Sequence, residues 1–452
     1  MRRNDRRSAR DLMPRYLVSL ALSVACTLSA GAQPKPEARR QAAEGFSPER
    51  LARLTRFLQR SVDSGATAGA VALIARHGHI VYEEAVGMAD REARRPMTPA
   101  TLFRIASQSK ALTSVAAMLL VEDGRLGLDD PVARYIPSFG ATTVATVADS
   151  SGVRVRRVMP ARRQITVRDL LTQTAGISYG TDSLVSARYA AEGLGPAAGY
   201  GWYFADKHET VCASTERLAR LPFVAHPGER WVYGYATDVL GCVVERASDA
   251  SLGEFIAERI TTPLGMRDTR FCVPAGERLR LAAVYSLDGG VLSRAGEGAR
   301  GQGDYVQGPC VAQSGGAGLV STAGDYVRFL VMLANGGTLG TVRILSPASV
   351  ALMTRDQVGE LYGRPGLGFG LGFEVVTDPG RAGRLGEAGQ YGWGGAYHTM
   401  YWVDPATGLV AVLMAQLLPA SGSVLHDRFR TLVYQAIVDG PRARRPTAGV
   451  SP

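Results

Sequence analysis

Strand-type sequence stands at both ends of this 452-residue chain and helical sequence fills its middle, so the fold has to bring the two ends together. Near the start, Ala70 to Ala75 and Ile80 to Val86 are strands joined by Arg76-His77-Gly78-His79, a hairpin turn. Near the end, Gly372 to Thr377, His398 to Val403 and Leu409 to Gln416 read as strands, the last two turning at Asp404-Pro405-Ala406-Thr407-Gly408. The expected fold class is α+β: an antiparallel sheet formed from both chain ends, flanked by helices, with a helix-rich domain inserted between. The boundaries expected are 47–105 and 325–440 for the sheet domain and 106–324 for the helix-rich one, with the active site in the groove between them.

The covering helices have clear signals. Ser47-Pro48 supplies a cap and a first-turn proline, and Leu51, Leu54, Phe57 and Leu58 then recur on one face. Val424 to Val438 is the closing helix, and residues 33–46 and 441–452 read as a linker and a frayed tail. In the middle, Asp238 to Ala247, Leu252 to Ile260 and Gly324 to Asn335 are helical. Thr143 to Met159 reads as an exposed hairpin turning at Ser150-Ser151-Gly152. Hydrophobic residues at 46% and charged ones at 20% argue against disorder and against a polytopic membrane protein.

Residues 1–32 stand apart. Six arginines precede the apolar run Tyr16 to Ala30, and Ala30-Gly31-Ala32 offers a small-x-small cleavage site, so an export signal is expected, with Met1 or Met13 as its start. The apolar run is short of the roughly 20 residues of a membrane span. A periplasmic or secreted protein with no stable membrane span after processing follows as the expectation. Those six arginines against Asp5 and Asp11 hold +4 of the formal +10, leaving +6 without a basic block, which does not argue for nucleic acid. Cys212, Cys242, Cys272 and Cys310 lack metal-type spacing, so no metal is expected. Cys242, within LGCVVE, reads as an inert core thiol, and one disulfide of open pairing fits an oxidising compartment. His77 and His79 flank a turn glycine and read as solvated.

The chemistry centres on TLFRIASQSKALTSVAAMLLV, residues 101–121, an apolar helix stopped at Gly124. Ser107 would open it, with its hydroxyl at the positive end of the peptide dipoles and its N–H among the orphan donors of the first turn. Lys110 lies three residues on and shares its face. Lysine occurs only at 35, 110 and 207, so 48 of the 51 basic residues are arginine. Lysine can release a proton when desolvated and arginine in effect cannot, so the choice of lysine beside a buried serine points to proton transfer. Taken alone, Ser-x-x-Lys would be no more than a cap and a solvated neighbour. Two further places support the chemical reading. Tyr233, in PGERWVYGYATDVLG, is a phenol that a nearby lysine can drive toward phenolate. Trp393-Gly394-Gly395 precedes a strand, where glycines admit a substrate and the next N–H can donate to an oxyanion. Gly176-Ile177-Ser178-Tyr179-Gly180 matches the G-x-S-x-G elbow pattern, but it lacks a preceding strand and a following helix, so Ser178 is set aside.

Together SQSK at 107–110, the tyrosine of WVYGY and the WGG before a strand resemble the three motifs of the serine β-lactamase-like, penicillin-binding superfamily. The chain is most similar to its class C-like esterases, the family VIII carboxylesterases. TPATLFRIAS, LLTQTAG, GGAGLVSTAGDYVRFL and YWVDPATGLVAVLMAQ extend the resemblance over nearly the whole mature chain. It implies Ser107 as nucleophile, Lys110 and Tyr233 as the pair that moves its proton, and the N–H groups of Ser107 and Ala396 as the oxyanion hole. Trp393, Gly394, Gly395 and Tyr235 would contact substrate.

The departures bear on substrate. Tyr233-Gly234-Tyr235 replaces Tyr-x-Asn and Trp393-Gly394-Gly395 replaces Lys-Thr-Gly, removing an amide and a cation that would hold a β-lactam. The expectation is a serine hydrolase of carboxylic esters acting through a Ser107 acyl-enzyme, on small-molecule ester or amide substrates and without a cofactor. The alternatives are a β-lactamase or D-amino-acid peptidase, and a catalytically silent binding protein on the same fold. Oligomeric state has no signal in the sequence.

Overall fold

The computed structural model describes residues 36–150, 153–196, 204–298, 301–303, 306–308, 310–419 and 424–440. The expected export signal, the expected tail and the turn at Ser151-Gly152 lie outside the described residues. Strands β1 (Gly69–Arg76), β2 (His79–Asp90) and β3 (Arg95–Pro96) come from the start of the chain. Strands β4 (Leu367–Phe369), β5 (Glu374–Val376), β6 (Tyr391–Gly395), β7 (Thr399–Asp404) and β8 (Leu409–Ala415) come from its end. They form one antiparallel sheet in the order β4-β5-β6-β7-β8-β1-β2-β3. The seam between the two ends is β1 against β8, in a register that sets Leu73 opposite Val412. The α+β reading with a sheet built from both ends therefore holds.

Alternation explains why the seam is stable. Along β1, Val71, Leu73 and Ala75 enter one core while Ala70, Ala72 and Ile74 enter the other. Strand β8 alternates in the same way, with Val410, Val412 and Met414 on the first side and Leu409, Ala411 and Leu413 on the second. The helices that matter here are α1 (Pro36–Ala43), α2 (Pro48–Asp63), α3 (Ser109–Glu122), α4 (Ala236–Ser248), α5 (Ala323–Ala334) and α6 (Leu425–Tyr434). Helix α2 starts at Ser47, whose side chain accepts from the Arg50 N–H, and with α6 it covers the second face of the sheet. The first face packs on α5 and on the middle segments, including α3, which is buried at every position from Ser109 to Leu120. The hairpin Thr143–Ser150 and Val153–Pro160 forms as expected and exposes Val147, Val158 and Met159.

Two expectations are corrected. Residues 33–46, read as a linker, contain α1, and Phe46 is buried and bridges to Ile437, because this segment closes over the β1–β2 turn. His77 and His79 are not simply solvated: their Nδ1 atoms bond the two oxygens of Glu44 at 2.9 and 2.7 Å. Behind them Arg76 is fully buried, its Nε donating to the Thr407 carbonyl and one NH group donating to the Glu44 carbonyl and the Asp439 carboxylate. One guanidinium thus ties the first segment, the β7–β8 turn and the last residues together. Arg76→Met should leave those carbonyls without a donor and cost about 2–3 kcal/mol, read as a fall in the urea midpoint.

Candidate active site

The nucleophile candidate sits one turn earlier than the sequence suggests. Ala106–Gln108 is a separate 3₁₀ turn and α3 begins at Ser109, so Ser107 precedes the helix rather than opening it. Ala106 takes φ 42°, a left-handed value that costs a non-glycine residue about 1–2 kcal/mol. The neighbourhood enforces it: Ile105 N–H donates to Leu319 O at 3.1 Å and Gln108 N–H to Ile105 O at 3.0 Å. Strand β6 presses on the same spot. A Cβ on Gly395 would stand 2.4 Å from the Ile105 carbonyl oxygen, so this position has room only for glycine.

Lys110 is buried beside Ser107, and its Nζ donates to Ser107 Oγ at 3.3 Å, to the Tyr179 hydroxyl at 3.0 Å and to the Gly316 carbonyl at 2.7 Å. The same Nζ lies 4.8 Å from the centre of the Tyr233 ring. Tyr233 accepts a hydrogen bond from the Trp393 indole N–H at 3.0 Å, and its ring stacks on Trp231 at 5.7 Å. Ser107, Tyr179, Tyr233, Trp393, Gly394, Gly395 and Ala396 line one cavity of about 970 Å³, within the range of small-molecule sites. The N–H groups of Ser107 and Ala396 donate to no acceptor among the described residues. Arg364 and Arg384, on the same cavity, share the carboxylate of Glu374.

Tyr235 is placed differently from the expectation of substrate contact. It is buried and outside the cavity lining, because its ring stacks on Phe204 at 4.3 Å and meets Tyr179 edge-on at 4.9 Å. Its hydroxyl accepts from the Gly195 N–H at 3.1 Å. Burial, with the charge of Asp238 beside it, pushes that hydroxyl well above the usual tyrosine range. Tyr235 therefore braces Tyr179. Cys242 is likewise corrected: it is no free thiol but pairs with Cys212, and Cys272 pairs with Cys310, two disulfides where the sequence points to one of open pairing.

Sequence reasoning missed Tyr179 and Gly316. The signal for Tyr179 was in view, since it is the fourth residue of the G-x-S-x-G match, which drew attention to the serine instead. Ser178 Oγ accepts from the Gly180 N–H at 3.1 Å and Ser178 is absent from the cavity lining, so its hydroxyl closes a turn that presents the next residue. Among the described residues no group of three or more His, Cys, Asp or Glu side chains could hold a metal ion.

Gly395→Ala is expected to push β6 off Ile105, lower the melting temperature, and reduce labelling of the chain by a fluorophosphonate at least tenfold. Ser178→Ala should leave that labelling within about twofold of wild type.

The geometry can now be set beside known proteins. Residues 54–435 match the profile of the Beta-lactamase family. The chain is 39% identical over 373 residues to Protein Rv1367c of Mycobacterium tuberculosis, covering 79% of this chain and 88% of that one. It is 37% identical over 378 residues to Esterase EstB of Burkholderia gladioli, covering 80% and 89%. Among solved structures, EstCE1, described as a hydrolase with promiscuous acyltransferase activity, superposes with a TM-score of 0.72 at 30% identity, covering 87% of this chain and all of that one. With the shared fold, the shared length and a Ser-x-x-Lys turn set in a cavity, the chain belongs to the beta-lactamase family.

Proposed function

We propose that this serine hydrolase cleaves carboxylic esters through an acyl-enzyme on Ser107. The observation that carries the reading is the convergence of Lys110 Nζ on Ser107 Oγ inside a cavity walled by Tyr179, Tyr233 and Trp393. Lys110 Nζ stands over the Tyr233 ring and the Trp393 indole N–H donates to the Tyr233 oxygen, which holds the phenol in place on the cavity wall. As phenolate, Tyr233 takes the Ser107 proton while Ser107 Oγ attacks the ester carbonyl. The oxyanion is held by the N–H groups of Ser107 and Ala396. The alkoxide leaves as alcohol with the proton returned from Tyr233, and water repeats the cycle on the acyl-enzyme. Tyr179 fixes the direction of Lys110 by their hydrogen bond.

The ester reading is favoured over β-lactam turnover by what lines the cavity at the third motif. Trp393 stands where a lysine would bind a lactam carboxylate, and its indole is already committed to Tyr233. The esterase names of relatives, EstB among them, support the same choice. The test is turnover of p-nitrophenyl butyrate against nitrocefin, with intact-mass detection of an acyl adduct. The ester should be preferred by kcat/KM at least 100-fold. Ser107→Ala should abolish turnover and adduct, Tyr233→Phe should lower kcat about 10²–10⁴-fold, and Tyr179→Phe should cost less. Preference for nitrocefin, or an adduct that survives loss of Ser107, would overturn the proposal.

We also infer export, from the arginine-rich start followed by the apolar run to Ala30, a reading supported by the pairs Cys212–Cys242 and Cys272–Cys310. The mature chain expressed with its leader should begin at Gln33, as read by N-terminal mass spectrometry; retention of residues 1–32 would refute it.

A further inference from the structure

The proton chemistry proposed above uses Ser107, Lys110 and Tyr233 but leaves one buried carboxylate unaccounted for. Asp238 lies in the first turn of α4, five residues after Tyr233, and is fully buried. Its Oδ1 accepts from the Ser314 hydroxyl and from the Gly316 N–H at 3.2 Å. Its Oδ2 has no hydrogen-bond partner among the described residues. Gly316 is the residue whose carbonyl takes the Lys110 ammonium at 2.7 Å, so a single peptide segment is gripped by the carboxylate on its N–H side and by the lysine on its carbonyl side. The segment is fixed on its other flank as well, where the Thr113 hydroxyl of α3 donates to the Gly315 carbonyl at 2.8 Å. A Cβ on Gly316 would stand 2.5 Å from Asp238 Oδ2, so the close approach requires glycine there.

A buried carboxylate with one bare oxygen is costly unless a cation stands near it. A buried ammonium likewise needs a counter-charge. Lys110 has three protons to place, and its Nζ donates to Ser107 Oγ, the Tyr179 hydroxyl and the Gly316 carbonyl. That arrangement suits an ammonium. We propose that Asp238 is a positioning residue whose carboxylate is the counter-charge of the Lys110 ammonium, and that through Ser314 and Gly316 it fixes the carbonyl on which that ammonium is seated. Asp238 acts across Gly316 and touches neither substrate nor Ser107.

Two opposed influences bear on Asp238 itself. Burial pushes its carboxyl above the usual range and outweighs the opposite pull of the Lys110 charge, the Ser314 hydroxyl and the Gly316 N–H, so the titration of Lys110 has to decide which form is present. The groups facing Lys110 include Ser107, Tyr179, Tyr233 and Gly316, and those facing Asp238 include Tyr235, whose hydroxyl it helps push up.

The inference rests on Lys110 serving the proposed hydrolase, yet its test reads the lysine without substrate. The chain has three lysines, so uniform 13C labelling of lysine gives three Cε resonances, assignable with Lys35→Arg and Lys207→Arg. In the wild-type chain the Lys110 resonance should report an ammonium at pH 7. In Asp238→Asn its titration midpoint should fall by about one pH unit or more, tenfold in proton affinity, and the alkaline limb of the kcat/KM profile should move down with it. Asparagine is an isostere of the protonated acid, so an unchanged midpoint means that Asp238 is neutral in the wild type and overturns the proposal. A Lys110 amine already neutral at pH 7 in the wild type does the same, and that measurement needs no variant to fold. Loss of ester turnover with the titration as expected would instead strike only the proposed function.

Discussion

Everything at the site depends on β6 being allowed to touch the chain just ahead of Ser107. Gly395 stands against the carbonyl of Ile105 with no room for a side chain, and Thr399 next to it reaches the same carbonyl through its hydroxyl at 3.4 Å. A strand from the last quarter of the sequence is thereby locked to a turn from the first. Ala396, the next residue along, comes to line the same cavity as Ser107, and the left-handed Ala106 is held in place against its own preference.

Behind that contact lies a hierarchy of supports. The seam of β1 and β8 makes the two chain ends into one sheet, and Arg76 fastens the segments that close it. On the other side, α3 and α4 bring Lys110 and Asp238 to opposite sides of Gly316. Aromatic rings fill the remaining wall: Trp231, Tyr233 and Trp393 pack on one another, while Phe204 and Tyr235 support Tyr179 from below. Such packing keeps the Tyr179 and Tyr233 hydroxyls in fixed directions, one on Lys110 Nζ and the other on the Trp393 indole.

The site is accordingly made of two kinds of residue. Ser107, Lys110, Tyr233 and Trp393 carry polar atoms toward one point. Gly315, Gly316 and Gly395 bring no side chain, and serve by letting backbone carbonyls, hydroxyls and carboxylates come closer than any side chain would permit. The G-x-S-x-G match belongs to this second kind of logic. Its serine closes a turn and its tyrosine is delivered to Lys110.

What the sequence determined by itself is what depends on local pattern. The short apolar runs Ala70 to Ala75 and Leu409 to Gln416, bounded by turn residues, marked strands, Ser47-Pro48 marked a helix start, and lysine in an arginine-rich chain marked position 110, because run length, capping and composition are written residue by residue. Tertiary structure alone decided the rest. Tyr235 left the cavity because Phe204 and Gly195, distant in sequence, claimed its ring and hydroxyl. Cys242 found Cys212, α1 formed where a linker was expected and is fixed to the sheet by Gln41 donating to the Val81 carbonyl, and Tyr179, Gly316 and Asp238 became neighbours of Lys110. Those outcomes are distances between residues far apart in the chain, and such distances exist only once the two cores have fixed which faces meet.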